Sequence, residues 1–314
     1  MTSIASQPPA TSPAPRKPIT ASQSPTRRMF RRLLRHRSAQ IGLVVLFFLM
    51  LVAIFADVIA PRGYEDQIET AGVKRRDPPC VHILGCDPAK PELIFGVDGN
   101  KRDLFDRVVH GSRLSLQIGF ITSSFAIAIG MMLGAVAGYA GGWIDDVIMR
   151  TMDVFLAFPS LLLAIAIVTV LGTGLVNTLL AVGIVSIPVY ARIVRASVLT
   201  VKETDYVSAS RALGASGMRI LFTRLLPNSM TPLIVQGTLG IATTILEAAG
   251  LSFLGLGAQP PLPEWGLMLG EERNSVFNAP HLLVFPGLAI MLMVLSFNLL
   301  GDALRDALDP RRTN

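Results

Sequence analysis

Long apolar runs alternate with short charged connections along this chain. An apolar run of about 20 residues spans the roughly 30 Å hydrocarbon core of a bilayer. Six such runs are read at about 41–60, 114–139, 147–171, 175–194, 230–256 and 282–300, predicting six transmembrane helices. No charged residue occurs between Asp153 and Arg192. That stretch is too long for one span, and Gly172-Thr173-Gly174 supplies the turn that divides it. The first run is too long for a signal-peptide core and lacks a small-x-small exit before Pro61, so it reads as a retained span.

Composition agrees with a lipid setting. Hydrophobic residues make up 51% of the 314 and charged residues 16%, against about 25% charged in soluble proteins. Mean hydropathy is +0.53. Basic residues near span ends set orientation. Arg16, Lys17, Arg27, Arg28, Arg31, Arg32, Arg35 and Arg37 precede the first span without an acid among them, which predicts a cytosolic N-terminus. Six crossings return the C-terminus to the cytosol, in agreement with Arg305, Arg311 and Arg312. The loop after the fourth span is basic and falls inside; the loop over 258–281 has the single base Arg273 and falls outside. Between Arg62 and Arg107, acids balance the bases, so that long outer loop votes weakly. A pI near 9.7 raises nucleic acid as a partner. Because the bases concentrate beside spans, an anionic lipid surface accounts for them better. Residues 1 to about 26 are rich in Pro, Ser, Thr and Ala and read as a disordered tail.

Candidate chemistry is sparse. Cys80 and Cys86 lie together in the first outer loop around Gly85, where a disulfide, two free thiols or a metal site with His82 are the alternatives. No Gly-x-x-x-x-Gly-Lys-Ser/Thr phosphate loop occurs, which excludes ATP binding by that route. The four histidines lie outside or at the ends of the spans, and no aspartate pair sits at facing depths. No catalytic residue and no metal set is assigned. Energy for any work would arrive from a partner.

The segment Glu203-Thr-Asp-Tyr-Val-Ser-Ala-Ser-Arg-Ala-Leu-Gly214 is the place for it to arrive. Tyr206, Ala209, Ala212 and Leu213 recur at helical spacing, with Ser208, Ser210 and Arg211 between them. Small side chains at 208–210 would let this helix sit deep in a groove of another protein. Gly214 allows a turn that a Cβ would strain. A second short helix over 218–226 is expected to end before Pro227, which suits the first turn of span five. An ordinary surface hairpin is the plainer alternative. Span two carries Ala126, Gly130, Gly134 and Gly138 at four-residue intervals, a stripe that lets another helix approach, within the chain or from a second subunit. Pro159 is expected to kink span three. Glu247 is the one deep acid, placed either for structural pairing or along a substrate path. Asp57 lies near the outer end of span one and reads as solvated.

Several of these stretches resemble one family. Ser208-Ala209-Ser210, Gly214 and Leu226-Pro227 are similar to the Glu-Ala-Ala coupling loop of ATP-binding-cassette importer permeases, with Ser208 and Ser210 replacing Glu and Ala, and Arg224 replacing Ile. The block 251–269, Leu-Ser-Phe-Leu-Gly-Leu-Gly-Ala-Gln-Pro-Pro-Leu-Pro-Glu-Trp-Gly-Leu-Met-Leu, closely resembles the "C" permease of dipeptide, oligopeptide and nickel importers. The block 95–116 and the stretch 153–159 resemble the same family, although Asn100-Lys101 stands where a Gly is usual. The matches cover about residues 27–305, apart from the long first outer loop.

That resemblance implies an all-α, six-span membrane protein with the type I importer permease fold. It divides the chain into a basic cytoplasmic tail (1–38), a first transmembrane helix (39–60), an extracytoplasmic loop (61–111), a permease domain (112–305, with the coupling loop at 203–227) and a cytoplasmic tail (306–314). The implied function is import of short peptides, with nickel or another small solute as the alternative cargo. The implied partners are a second homologous permease, two cytosolic ATPases that hold ATP and Mg2+, an extracytoplasmic solute-binding protein and the cell membrane. This chain would carry no cofactor and contact no nucleic acid. An ion-gradient-driven transporter is the rival from another class, but Glu247 has no counterpart in the first half of the chain.

Overall fold

The computed structural model describes residues 36–70, 72–88 and 90–308. The tail expected over 1–38 therefore lies outside the described residues as far as 35, as do Arg311 and Arg312. The described residues form helices joined by loops, with three isolated β-bridges in the segment that joins the first long helix to the next. We label α1 Arg37–Ile54, α2 Leu104–Ala140, α3 Gly142–Leu156, α4 Ser160–Leu171, α5 Leu175–Lys202, α6 Asp205–Ala212, α7 Gly217–Phe253, α8 Trp265–Glu272 and α9 His281–Leu308. Among them α1, α2, α5, α7 and α9 are long and apolar enough to cross a membrane, and α3 with α4 gives a sixth crossing if the bent pair is one span.

The third span departs most from a straight reading. Its two halves meet at 95°. Pro159 has no N–H to donate and lies between the halves, where Ala157–Pro159 leave the helix. The expected kink is a full break. The first span also ends sooner than expected, at Ile54, with a further turn of helix at Ala56–Ile59. Arg113 explains the stop. Its guanidinium donates to the carbonyls of Ala53 and Ile54 and pairs with Asp57 at 2.9 Å, satisfying carbonyls that a helix end leaves free. Asp57 is thus exposed but paired, and the Arg113 hydrogen bond holds its carboxyl below the usual range.

Helices in lipid associate through close backbone approach rather than through the hydrophobic effect. The Ala126, Gly130, Gly134 and Gly138 stripe on α2 does this against α5, so it serves packing within the chain. A Cβ on Gly130 would lie 2.6 Å from Tyr190 Cβ, and one on Gly138 would lie 3.0 Å from the carbonyl of Arg195. In the same way α1 meets α9 at Gly42, beside the backbone of Ser296. The helix α7 sits between α2 and α9, and Ser123 on α2 donates a buried hydrogen bond to Thr244 on α7.

Both long helices extend past the expected span limits. The helix α2 begins at Leu104, inside the segment assigned to the outer loop. The helix α5 runs to Lys202 instead of stopping near Val194. These extensions carry the charged residues that anchor the loops at either end.

Candidate functional site

At one end of the bundle, the 203–227 segment forms a short helix, a glycine turn and a second helical stretch. The helix α6 starts after Thr204 and ends at Ala212. Gly214 follows with φ +80°, and the turn closes through Gly214 N to the Arg211 carbonyl and Ala215 N to the Ser210 carbonyl. A Cβ on Gly214 would meet nothing within 4 Å, so its backbone conformation, not space, demands glycine. A cavity of about 440 Å3 lies between this turn and Arg219, Thr223 and Arg224.

The second short helix does not end before Pro227. It passes through one wide π turn, Leu221–Leu225, straight into span five. Pro227 cannot donate to a carbonyl in the preceding turn, and a π turn absorbs that mismatch without stopping the helix. Asn228 adds a side-chain hydrogen bond to the Arg224 carbonyl at 2.6 Å. Movement at 217–227 is therefore movement of α7 itself.

Of the residues singled out here, Tyr206, Ser208, Ala209, Arg211 and Gly214 are exposed and Ser210 is half-buried. Val207, which was not singled out, is buried in one apolar cluster with Ile220, Leu221 and Leu225. It fastens α6 to α7 from beneath and leaves the small residues facing outward. Tyr206 accepts a 3.0 Å hydrogen bond from Asn228, a second tie to α7. Tyr206 Oη lies on one side of the helix and Ser208 on another, so the loop presents one face and spends the other on attachment.

The loop's root is held by ion pairs that span counting treats only as topology signals. Arg195 forms a two-pronged pair with Asp145, one arm at 2.6 Å, and Arg192 pairs with Asp153. Together they bind α5 to α3. Lys202 donates to the Tyr139 carbonyl at the end of α2. The loop thus leaves a braced junction of α2, α3 and α5.

At the other end, the two textual blocks 95–116 and 251–269 come together. Arg107, 1% exposed, lies 3.6 Å from Asp98 and 3.4 Å from Glu271. Arg102 pairs with Asp98 at 2.6 Å and with Glu271 at 3.3 Å, and Arg76 reaches Glu272 at 2.8 Å. Trp265 Nε1 donates to the Val108 carbonyl. Glu264 caps α8 by accepting from Gly266 N and Leu267 N, while burial raises its pKa. The charges between Arg62 and Arg107 read in the sequence only as a weak topology signal, and nothing in their spacing gave this pairing. Cys80 and Cys86 are joined by a disulfide, with Cα atoms 5.4 Å apart, and His82 hydrogen-bonds the Lys90 carbonyl.

Within the bundle, Glu247 pairs with no arginine among the described residues. Its Oε1 accepts a 2.7 Å hydrogen bond from Ser160 Oγ, the first residue after the Pro159 break. The break thus brings the two singled-out membrane residues to one place.

Comparison with known proteins agrees with this architecture. Residues 130–314 match the family described as binding-protein-dependent transport system inner membrane component. Residues 24–79 match the N-terminal transmembrane domain of oligopeptide transport permease C. The chain is 47% identical to the dipeptide transport system permease protein DppC of Alkalihalophilus pseudofirmus over 300 residues, 96% of this chain and 94% of that one. It is 44% identical to the glutathione transport system permease protein GsiD of Pectobacterium atrosepticum, over 92% of each chain. It is 43% identical to the di/tripeptide transport system permease protein DppC of Pseudomonas aeruginosa, over 95% and 96%. Among solved structures, the inward-facing MetNI methionine ABC transporter superposes with a TM-score of 0.53 at 22% identity, over 65% of this chain and 97% of that one, a likeness of fold alone. The long apolar helices, the braced loop at 203–227 and these matches together place the chain in the family of binding-protein-dependent transport system inner membrane components, the permease subunits of ATP-binding-cassette importers.

Proposed function

We propose that this chain forms half of the translocation pathway of an importer for short peptides. The loop 203–227 would be its contact with the ATPases. One observation carries the coupling part of this reading. The loop's second helical stretch is continuous with α7, while α6 is fastened to α7 through Val207 and Tyr206. Displacement by a partner of α6, whose Ser208, Ala209 and Arg211 are exposed and whose Tyr206 is tied to Asn228, would therefore rotate or shift span five directly.

The cargo reading rests on the relatives, whose names specify dipeptides, di/tripeptides and glutathione. Short peptides are the class these share. In this reading both termini and the 203–227 loop face the cytosol. Two ATPases there hold the ATP and Mg2+, a second homologous permease completes the pathway, and a solute-binding protein delivers cargo to the outer face. Alternating access follows from ATPase closure pulling on the loop and from α7 moving against α2 and α9.

The test is import into proteoliposomes holding the complete transporter and its binding protein, with ATP inside or outside the ATPase-accessible compartment. The expected result is accumulation of a di- or tripeptide that requires ATP on the ATPase side. Accumulation driven by an imposed ion gradient without ATP would overturn the reading.

A further inference from the structure

The acids of the membrane-spanning helices are not treated alike. Asp145 and Asp153 are each matched by an arginine on α5. Glu247 has only the Ser160 hydroxyl, and among the described residues no Lys, Arg or His forms an ion pair with it. An ionisable group inside a bilayer is costly and calls for a counter-charge or a polar cavity.

The surroundings are open, with apolar walls that carry a few polar groups. Glu247 is half-buried next to exposed Leu246, while Ile245 and Ala248 are buried. Two cavities, of about 200 and 420 Å3, flank it and share Ser160, Thr243 and Glu247 in their walls. Ser186, Tyr190 and Gln236 line the first, and Asn298 the second. Phe155, Phe158, Leu161 and Val294 complete the walls, so a passenger there meets apolar surface as well as these hydroxyls and amides. Ser160 opens α4, so the positive end of a helix dipole also lies beside this side chain. That leaves a carboxylate with one oxygen held, the other free and space on both sides.

We propose that Glu247 receives a cationic group of the cargo during passage, which for a short peptide is its N-terminal ammonium. This rests on the peptide-importer reading and deepens it by naming the group recognised. The ammonium carries three donors, enough to engage the free carboxylate oxygen and neighbouring hydroxyls at once. Pro159 is essential to the arrangement because the break it sets places Ser160 within reach of Glu247.

The experiment compares Glu247→Gln and Glu247→Asp with the unaltered chain in the complete transporter, in proteoliposomes, with the binding protein saturated by a dipeptide. Gln keeps the shape and removes the charge; Asp keeps the charge. Initial import is expected to fall about tenfold to a hundredfold in Glu247→Gln, the span of a charge-assisted hydrogen bond. Glu247→Asp should stay within about threefold, a partial rescue that a purely steric role would not give. Co-purification of the second permease with each variant is the second readout. Import by Glu247→Gln at the unaltered rate overturns the proposal. So does loss of the second permease from that variant, which would make Glu247 an interface residue instead. If the unaltered transporter carries no peptide but carries another cationic solute with the same Glu247 dependence, the peptide reading fails and this one stands.

Discussion

Replacing Gly214 by valine separates backbone strain from bulk at the loop that we take to meet the ATPases. Gly214 holds φ +80°, and nothing lies within 4 Å of where its Cβ would be. Valine would therefore clash with no neighbour and would pay only for its own backbone conformation, about 1–3 kcal/mol for a branched residue in that region. The fold can absorb this. Van der Waals packing of α2, α5, α7 and α9 does not involve the turn, so insertion and abundance should be unchanged. The loop cannot absorb it in place, because relaxing φ breaks the Gly214–Arg211 and Ala215–Ser210 hydrogen bonds that set the angle between α6 and α7. At about 1.4 kcal/mol per tenfold, the strain corresponds to about a fivefold to hundredfold loss of the docking-competent conformation. Gly172→Val is the matched control. Its φ is +94°, with only Asn177 Nδ2 nearby at 3.7 Å, so the strain is similar but lies in the turn between α4 and α5. We expect Gly214→Val to lose ATP-driven import and retention of the ATPases on purification, and Gly172→Val to keep the ATPases. Full ATP-driven import by Gly214→Val would refute the reasoning and reduce the 203–227 segment to a surface hairpin.

Further outcomes follow from the same structure. In a background lacking Cys80 and Cys86, single cysteines at the exposed positions Gln67 and Pro261 should react with an impermeant thiol reagent added outside intact cells, whereas one at Ser216 should not; outside labelling at Ser216 would invert the orientation. Freshly isolated, unreduced protein should show no reactive thiol, and reduction should expose two, since Cys80 and Cys86 are its only cysteines. Arg107→Met should leave Asp98 and Glu271 with Arg102 as their remaining partner and cost about 1–3 kcal/mol, read as low abundance or a lowered Tm of the purified complex. Burial raises the pKa of Asp103, which caps α2 by accepting from Phe105 N. The folded chain then holds that proton more tightly than the unfolded one, so this group's contribution falls as pH rises from about 4, the unfolded value, through its folded pKa. Asp103→Asn keeps a capping acceptor, so its Tm should decline less than the unaltered chain's over that window; an unchanged difference across pH would show that burial is not the cause.

Apolar run length was enough to place five spanning helices and the glycine turn after Leu171, because in a bilayer the cost of exposed backbone ties helix length to hydrocarbon thickness. Local chemistry also carried Gly214, whose need for a positive φ is a property of one residue and its turn. The textual blocks at 95–116 and 251–269 were enough to suggest the family, though not that they touch. What the sequence could not decide were matters of pairing across the chain. Pro159 told of a disturbed helix, but the 95° break depends on where α4 packs against α5. Pro227 read as a helix start, yet the π turn and the packing of Leu221 and Leu225 carried the helix through it. Arg192, Arg195 and Arg107 counted only as charges until folding brought Asp153, Asp145 and Glu271 to them from residues far along the chain. Glu247 was visible as a lone acid in an apolar run, but that it meets Ser160 is set by the broken span beside it. Periodicity and hydropathy act over a few turns of helix, whereas the partners of a buried charge are chosen by the packing of whole helices, and only the tertiary structure holds that choice.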